Sequence, residues 1–190
     1  MGNPNVGKSA IFSRLTGANV IVSNYAGTTV EFKKGYMYLK GKSVEIIDVP
    51  GTYSLKPSNK AEEIAVEMLE KGDLVVNIVD ATNLERNLNL TLQLMEKNIP
   101  LIVVLNMWDE TKHIGISIDA EKLEKMLGVQ VVPTVAITGE GVKRLVEKLP
   151  EAKTPKIKLK QLPDKEKWSK IGNIIEDVQK TSHRYHTFIE

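Results

Sequence analysis

The chain reads as an α/β protein, a mostly parallel sheet flanked by helices on both faces, with a short C-terminal helix behind it. Two observations predict this. From residue 72 to 149, short apolar runs of the kind buried parallel strands show alternate with helical segments, which is the pattern of βαβ units. The chain also opens on MGNPNVGKS, where residues 2–9 satisfy G-x4-G-K-[ST], a phosphate-cradling loop that hangs between a strand and a helix.

The elements follow in order. GKSAIFSRLTG predicts a helix with Ile11, Phe12 and Leu15 on one face and Gly17 as its stop. FKKGYMYLKGKSVEIIDVPG predicts two strands around a Gly41-Lys42 turn. AEEIAVEMLEKG is helical, and DLVVNIVDA is a short, nearly continuous apolar strand. LERNLNLTLQLMEKN predicts a helix, PLIVVLNMWD a second buried strand, DAEKLEKMLG a helix, VQVVPTVAI a third strand, and EGVKRLVEKLP a closing helix. Residues 1–150 thus form one domain. Residues 151–163, rich in Pro and Lys, read as a linker. Residues 164–190 read as one amphipathic helix whose apolar side, Trp168, Ile171, Ile174, Ile175 and Val178, suits docking onto the domain before it.

Composition narrows the classes. The 190 residues are 42% hydrophobic and 26% charged, as in an ordinary globular protein. A net charge of +2 gives no argument for nucleic acid. It is unevenly placed: residues 153–190 carry 9 Lys and Arg against 5 Asp and Glu, while residues 1–152 carry 17 against 19. A membrane surface, an acidic partner or a solvated linker all fit the basic tail. The absence of Cys excludes disulfides and thiolate metal sites. The N-terminus is polar and no apolar run approaches ~20 residues, so a soluble, cytoplasmic protein is expected.

The chemistry begins at the phosphate loop. Its glycines, Gly2 and Gly7, let the backbone curl so that several N–H groups, from Asn3 through Val6 to Ala10, converge at a helix N-terminus. Lys8 reaches β- and γ-phosphates, and the Ser9 hydroxyl takes Mg²⁺. Asp48-Val-Pro-Gly51 ends a predicted strand, where the carboxylate holds Mg²⁺ through water and the Gly51 N–H senses the γ-phosphate. Thr29, in NYAGTTVE, lies between the two motifs as a switch threonine that also faces the metal. Asn106-Met107-Trp108-Asp109 has the N-x-x-D spacing for guanine, whose N1–H and exocyclic amine both donate to one carboxylate. Thr134, Val135 and Ala136 end the next strand, where a backbone amide meets guanine O6. Each motif falls at the C-terminal end of a predicted strand, where open α/β sheets bind ligands. The set points to GTP and GDP with Mg²⁺.

These motifs resemble a translation-factor-type, Ras-like G domain of the P-loop NTPases. VDATNLERNLNLTLQLME, NYAGTTVEFKKG and DVPGTYSL further resemble the ferrous iron transport protein B family. The likeness covers residues 2 to about 150, and HRYHTF is similar to the segment that precedes the first membrane span there. It implies a cytosolic, regulatory GTPase domain at the cytoplasmic face of the cell membrane, with a membrane domain for Fe²⁺ uptake on the same polypeptide. Small cytosolic regulators and self-association fit that setting. Met107 departs from the common Lys, and Val135 from the common Ser of the base loop. The helical domain that often follows the G domain in this family looks absent.

Thr52 stands where Ras-type enzymes place a water-orienting Gln, and is too short for that work, so hydrolysis is expected at ~10⁻⁴ to 10⁻³ s⁻¹. No arginine finger is evident: Arg14 faces the first helix, and Arg86 and Arg144 start distant ones. Asn5 offers another route, since relatives with Asn at this loop position bind K⁺ between loop and phosphates; the bland reading is a loop cap. His183 and His186, one helical turn apart, lack the carboxylate of a complete metal site. Two other functions stay open. One is a soluble GTPase of ribosome assembly or tRNA modification; the other is a nucleotide-sensing module with negligible turnover.

One element is missing from the pattern. The strand before a phosphate loop runs through the middle of the sheet and reads as five or six apolar residues. Only Met1 precedes Gly2, and KIKLK (156–160) would put lysines into a core. The expectation is that the natural polypeptide starts earlier, and that residues 1–190 bind nucleotide weakly and melt with little cooperativity.

Overall fold

A computed structural model describes residues 1–17, 20–155 and 163–182. Thus KIKLK, His183, His186 and HRYHTF lie outside the described residues. The parallel sheet is built as the sequence predicts. Strand β4 (Val75–Asp80) pairs with β5 (Leu101–Asn106), and β5 with β7 (Gln130–Pro133), all parallel. Every residue of β5 is buried, which is why it reads as an unbroken apolar run. Helix α3 (Leu84–Glu96) makes the crossover from β4 to β5, its leucines 84, 88, 92 and 94 filling the core on that side. Helix α5 (Ala120–Leu127) precedes β7, and α6 (Val142–Lys148) follows it, with Leu145 packed on the opposite side.

The remaining strands form an antiparallel meander, β1 (Val20–Asn24), β2 (Glu31–Leu39) and β3 (Lys42–Asp48). The β2–β3 turn sits at Lys40-Gly41, one residue earlier than the expected Gly41-Lys42. Both carry positive φ, 48° and 78°, as a two-residue hairpin turn requires. Strand β1 has no counterpart in the sequence reading; Ile21 and Val22 are exposed on it, so no half-buried alternation marks it. Helix α2 (Lys60–Glu70) packs Ile64, Ala65 and Met68 beside this meander.

Met1 and Gly2 lie along the free edge of β4. The Met1 α-ammonium donates to the Val76 carbonyl at 2.8 Å and the Ile78 N–H donates to the Met1 carbonyl at 2.8 Å. Gly2 forms a parallel bridge with Ile78, and the Thr52 N–H donates to its carbonyl at 3.2 Å. A Cβ on Gly2 would lie 2.3 Å from the Ile78 carbonyl oxygen, so only glycine permits this approach. Behind Met1 lies a cavity of about 180 Å³ lined by apolar side chains that include Ile11, Phe12, Ile46 and Val76.

The C-terminal segment departs from a single helix. Helix α7 (Asp164–Val178) packs on α3 and α5 through Ile171, Ile174 and Val178, then gives way to strand β8 (Gln179–Thr181). That strand pairs antiparallel with β6 (Ile116–Ile118), which follows the short helix α4 (Trp108–His113). Trp168 is 47% exposed and takes no part in the buried face. Its neighbour Lys167 is buried instead, paired with Glu96 of α3 at 3.0 Å.

Candidate functional site

The phosphate loop runs from the Gly2 bridge into α1 (Lys8–Thr16). It turns on two left-handed residues, Asn5 at φ 64° and Gly7 at φ 89°. Gly7 has a second constraint: a Cβ there would lie 2.2 Å from the Asn106 amide nitrogen. The Lys8 ammonium donates to the Asn3 carbonyl at 2.9 Å, curling back over its own loop. Burial lowers its pKa from 10.5, and the nearby Asp48 carboxylate opposes the shift. Gly51 stands beside it, with room for no Cβ: one would lie 2.9 Å from the Lys8 nitrogen. The Asn3 side chain is buried, and neither of its polar atoms has a partner among the described residues.

Ser9 and Asp48, 39 residues apart, meet here: the Ser9 hydroxyl donates to the Asp48 carboxylate at 2.7 Å. Two hard oxygen donors at the end of a phosphate loop fit Mg²⁺, which takes a few protein oxygens and completes its shell with phosphate and water. No group of three His, Asp or Glu side chains gathers to hold a metal unaided among the described residues. Asn5 is exposed at its left-handed corner, and an amide oxygen there suits a monovalent cation.

The base loop is tied to the phosphate loop by one side chain. The buried Asn106 donates through Nδ2 to the Val6 carbonyl at 2.9 Å. Its Oδ1 accepts from the Ala136 N–H at 2.9 Å and from the Thr134 hydroxyl at 3.3 Å. Met107 then adopts φ 59°, and the chain enters α4 with Asp109 in its first turn. The Asp109 carboxylate has no partner among the described residues, so both oxygens can accept from a ligand.

The amides of Thr134, Val135 and Ala136 are all used, by Leu105, Glu140 and Asn106 respectively. The next amide, on Ile137, has no acceptor among the described residues, and Ile137 is 85% exposed. The sequence reading carries the strand through Ile137 because VQVVPTVAI is mostly apolar; the signal against it is Pro133, where β7 ends.

Two other expected residues stand differently. Thr29 is exposed, and no recorded hydrogen bond or ion pair joins it to Ser9 or Asp48. Its segment is held on α2 instead, where the Tyr25 hydroxyl bonds Glu67 and Lys71 donates to that hydroxyl at 3.2 Å. Thr52 is fully buried, its hydroxyl donating to the Ser54 carbonyl at 2.6 Å. Sequence reasoning passed over Gln93 and set Arg86 aside as the start of a distant helix; both, on α3, grip the segment after Gly51. Gln93 accepts from the Leu55 N–H at 2.7 Å, and the Arg86 guanidinium lies 4.4 Å from the Tyr53 ring centre. Spacing cannot reveal contacts between a loop and a helix so far apart in the chain.

Residues 1–149 match the family described as Ferrous iron transport protein B. The Fe(2+) transport protein A/Fe(2+) transporter FeoB fusion protein of Porphyromonas gingivalis is 47% identical over 152 residues, 78% of this chain and 18% of that protein. The chain spans about a fifth of the length of such curated relatives. The solved cytosolic domain of L. pneumophila FeoB superposes with a TM-score of 0.88 at 33% identity, covering 95% of this chain and 98% of that one. An S. thermophilus NFeoB mutant bound to GDP gives 0.78 at 41% identity, over 92% and 68%. The fold is thus the P-loop NTPase fold of a G domain.

Proposed function

The chain belongs to the ferrous iron transport protein B family, and from that premise we propose that it binds GTP and GDP and hydrolyses GTP as the cytosolic regulatory domain of a ferrous iron transporter. The observation that carries the guanine reading is the Asn106 bridge, which holds the phosphate loop and the base loop as one unit with Asp109 unpartnered beside it.

In this reading Lys8 releases the Asn3 carbonyl and takes phosphate oxygens. Ser9, with Asp48 through water, would hold Mg²⁺, whose charge would offset that of the phosphates. The Gly51 N–H would face the γ-phosphate, and Thr29 would join the metal's oxygen ligands with GTP. Asp109 accepts from the guanine N1–H and amine, the Met107 stem packs over the base, and the Ile137 N–H donates to O6. Thr52, whose hydroxyl is committed to Ser54, positions no water, which supports slow hydrolysis of ~10⁻⁴ to 10⁻³ s⁻¹. The exposed Asn5 supports K⁺ as the charge that stands in for an arginine finger.

The P. gingivalis relative is named as a Fe(2+) transporter, and the membrane transport domain on the same polypeptide is the partner this reading implies. No helix among the described residues is long and apolar enough to cross a membrane. Titration calorimetry with GDP and ADP tests the nucleotide assignment. GDP is expected to bind at least about 100-fold tighter, because adenine offers Asp109 no paired donors. Equal affinities would overturn it.

A further inference from the structure

Arg14 is a feature of the base loop's surroundings that the function above leaves unused. It projects from the last turn of α1 onto the base loop. Its Nε donates to the Ala136 carbonyl at 3.0 Å, and its terminal nitrogen donates to the Ile137 carbonyl. Gly139 leaves space for the guanidinium, since a Cβ there would lie 3.3 Å from it. Arg14 is exposed and makes no ion pair among the described residues, so its recorded bonds are all spent on these two carbonyls.

A peptide unit is planar and trans, so its C=O and N–H point in opposite directions. The Ala136 carbonyl shares its plane with the Ile137 N–H, and the Ile137 carbonyl shares its plane with the Thr138 N–H. Fixing the two carbonyls toward α1 therefore turns both amides away from α1. Asn106 already holds the Ala136 N–H from the other side. With that restraint and the Arg14 fork, the Ile137 amide is held at a set angle.

We propose that Arg14 is a positioning residue for base recognition: it orients the Ile137 amide, and with it the donor to the base carbonyl O6. The inference rests on the guanine reading above. A guanidinium is needed because its rigid fork spans two successive carbonyls, whereas a lysine ammonium is a single mobile point charge.

The test compares GDP, IDP and 2-aminopurine riboside diphosphate, the last keeping the exocyclic amine but lacking O6 and, with it, the N1–H, with pyrophosphate as a base-free probe. Binding is measured by calorimetry for the wild-type chain, Arg14→Ala and Arg14→Lys, with melting curves to confirm folding. Loss of one oriented neutral hydrogen bond corresponds to roughly ten-fold. Arg14→Ala is expected to weaken GDP and IDP about ten-fold and to leave the O6-free analogue and pyrophosphate unchanged; Arg14→Lys should fall between. Equal loss for all four probes would make Arg14 a general prop for the loop and overturn the proposal, as would no loss at all. If the wild-type chain binds GDP and the O6-free analogue equally, the base-site reading itself falls and takes this proposal with it. A preference for GDP over that analogue that is as large in Arg14→Ala as in the wild-type chain overturns the proposal alone.

Discussion

Asn106 and Val6 stand 100 residues apart, yet the Asn106 amide donates to the Val6 carbonyl at 2.9 Å. The same side chain holds Ala136, so one residue joins the loop for phosphate to the loop for the base. Asn106→Ala would leave the Val6 carbonyl and the Ala136 N–H without partners in a buried setting, at about 1–3 kcal/mol each. The expected outcome is a lower melting temperature together with GDP binding weakened more than about ten-fold. A variant that melts lower but binds GDP as before would confine Asn106 to stability.

Thr29 has no recorded contact with the Ser9–Asp48 pair, and in the function proposed above it is the γ-phosphate that recruits it. Thr29→Ala should therefore leave GDP affinity within about two-fold and weaken a GTP analogue by ten-fold or more, on the order of one charge-assisted contact. Equal loss for both nucleotides would mean that Thr29 serves the fold.

Asn5 carries a direct ionic prediction. Replacing Na⁺ by K⁺ should raise single-turnover hydrolysis, and Asn5→Ala should remove the rise while sparing GDP binding. A rate indifferent to the cation would leave Asn5 as a loop corner.

In a chain that begins at Met1, the α-ammonium is expected to make stability depend on pH. It is enclosed against Val76, and burial with the Lys8 charge brings its pKa from 8.0 to about 5, Asp48 opposing. Between those values the unfolded chain binds more protons than the folded one, so stability rises with pH from 5 to 8 and is lost as pH falls through that window. The slope is at most about 1.4 kcal/mol per pH unit. Melting curves should show it, and N-terminal acetylation, which removes the charge and keeps an N–H donor, should flatten it. An unchanged slope after acetylation would place the dependence elsewhere.

Legibility in the sequence followed the range of the interaction. The phosphate loop, the buried run of β5 and the helices of the parallel half announce themselves because glycine placement and apolar periodicity are local. The pairing of β6 with β8 does not, since the polar Gln179–Thr181 segment becomes a strand only when Ile116–Ile118 lies beside it. Lys167 and Trp168 show the same limit: periodicity put the tryptophan inside, while the Glu96 partner on α3 brings the lysine in. At the base loop, which amide stays unused was not legible, because Thr134, Val135, Ala136 and Ile137 follow one another in a mostly apolar run and only the bonds to Leu105, Glu140 and Asn106 tell them apart.

The central claim is that this chain recognises guanine through Asp109, and exchange of its carboxylate for an amide tests it most directly. GDP and XDP affinities are measured for the wild-type chain and for Asp109→Asn. Xanthine carries a carbonyl where guanine carries an amine, so an amide donor at residue 109 should reverse the preference. The wild-type chain should favour GDP by about 100-fold or more, and the variant should lose GDP by several kcal/mol, on the order of two hydrogen bonds to a charged group, and gain XDP. Undiminished GDP binding by Asp109→Asn would contradict the account.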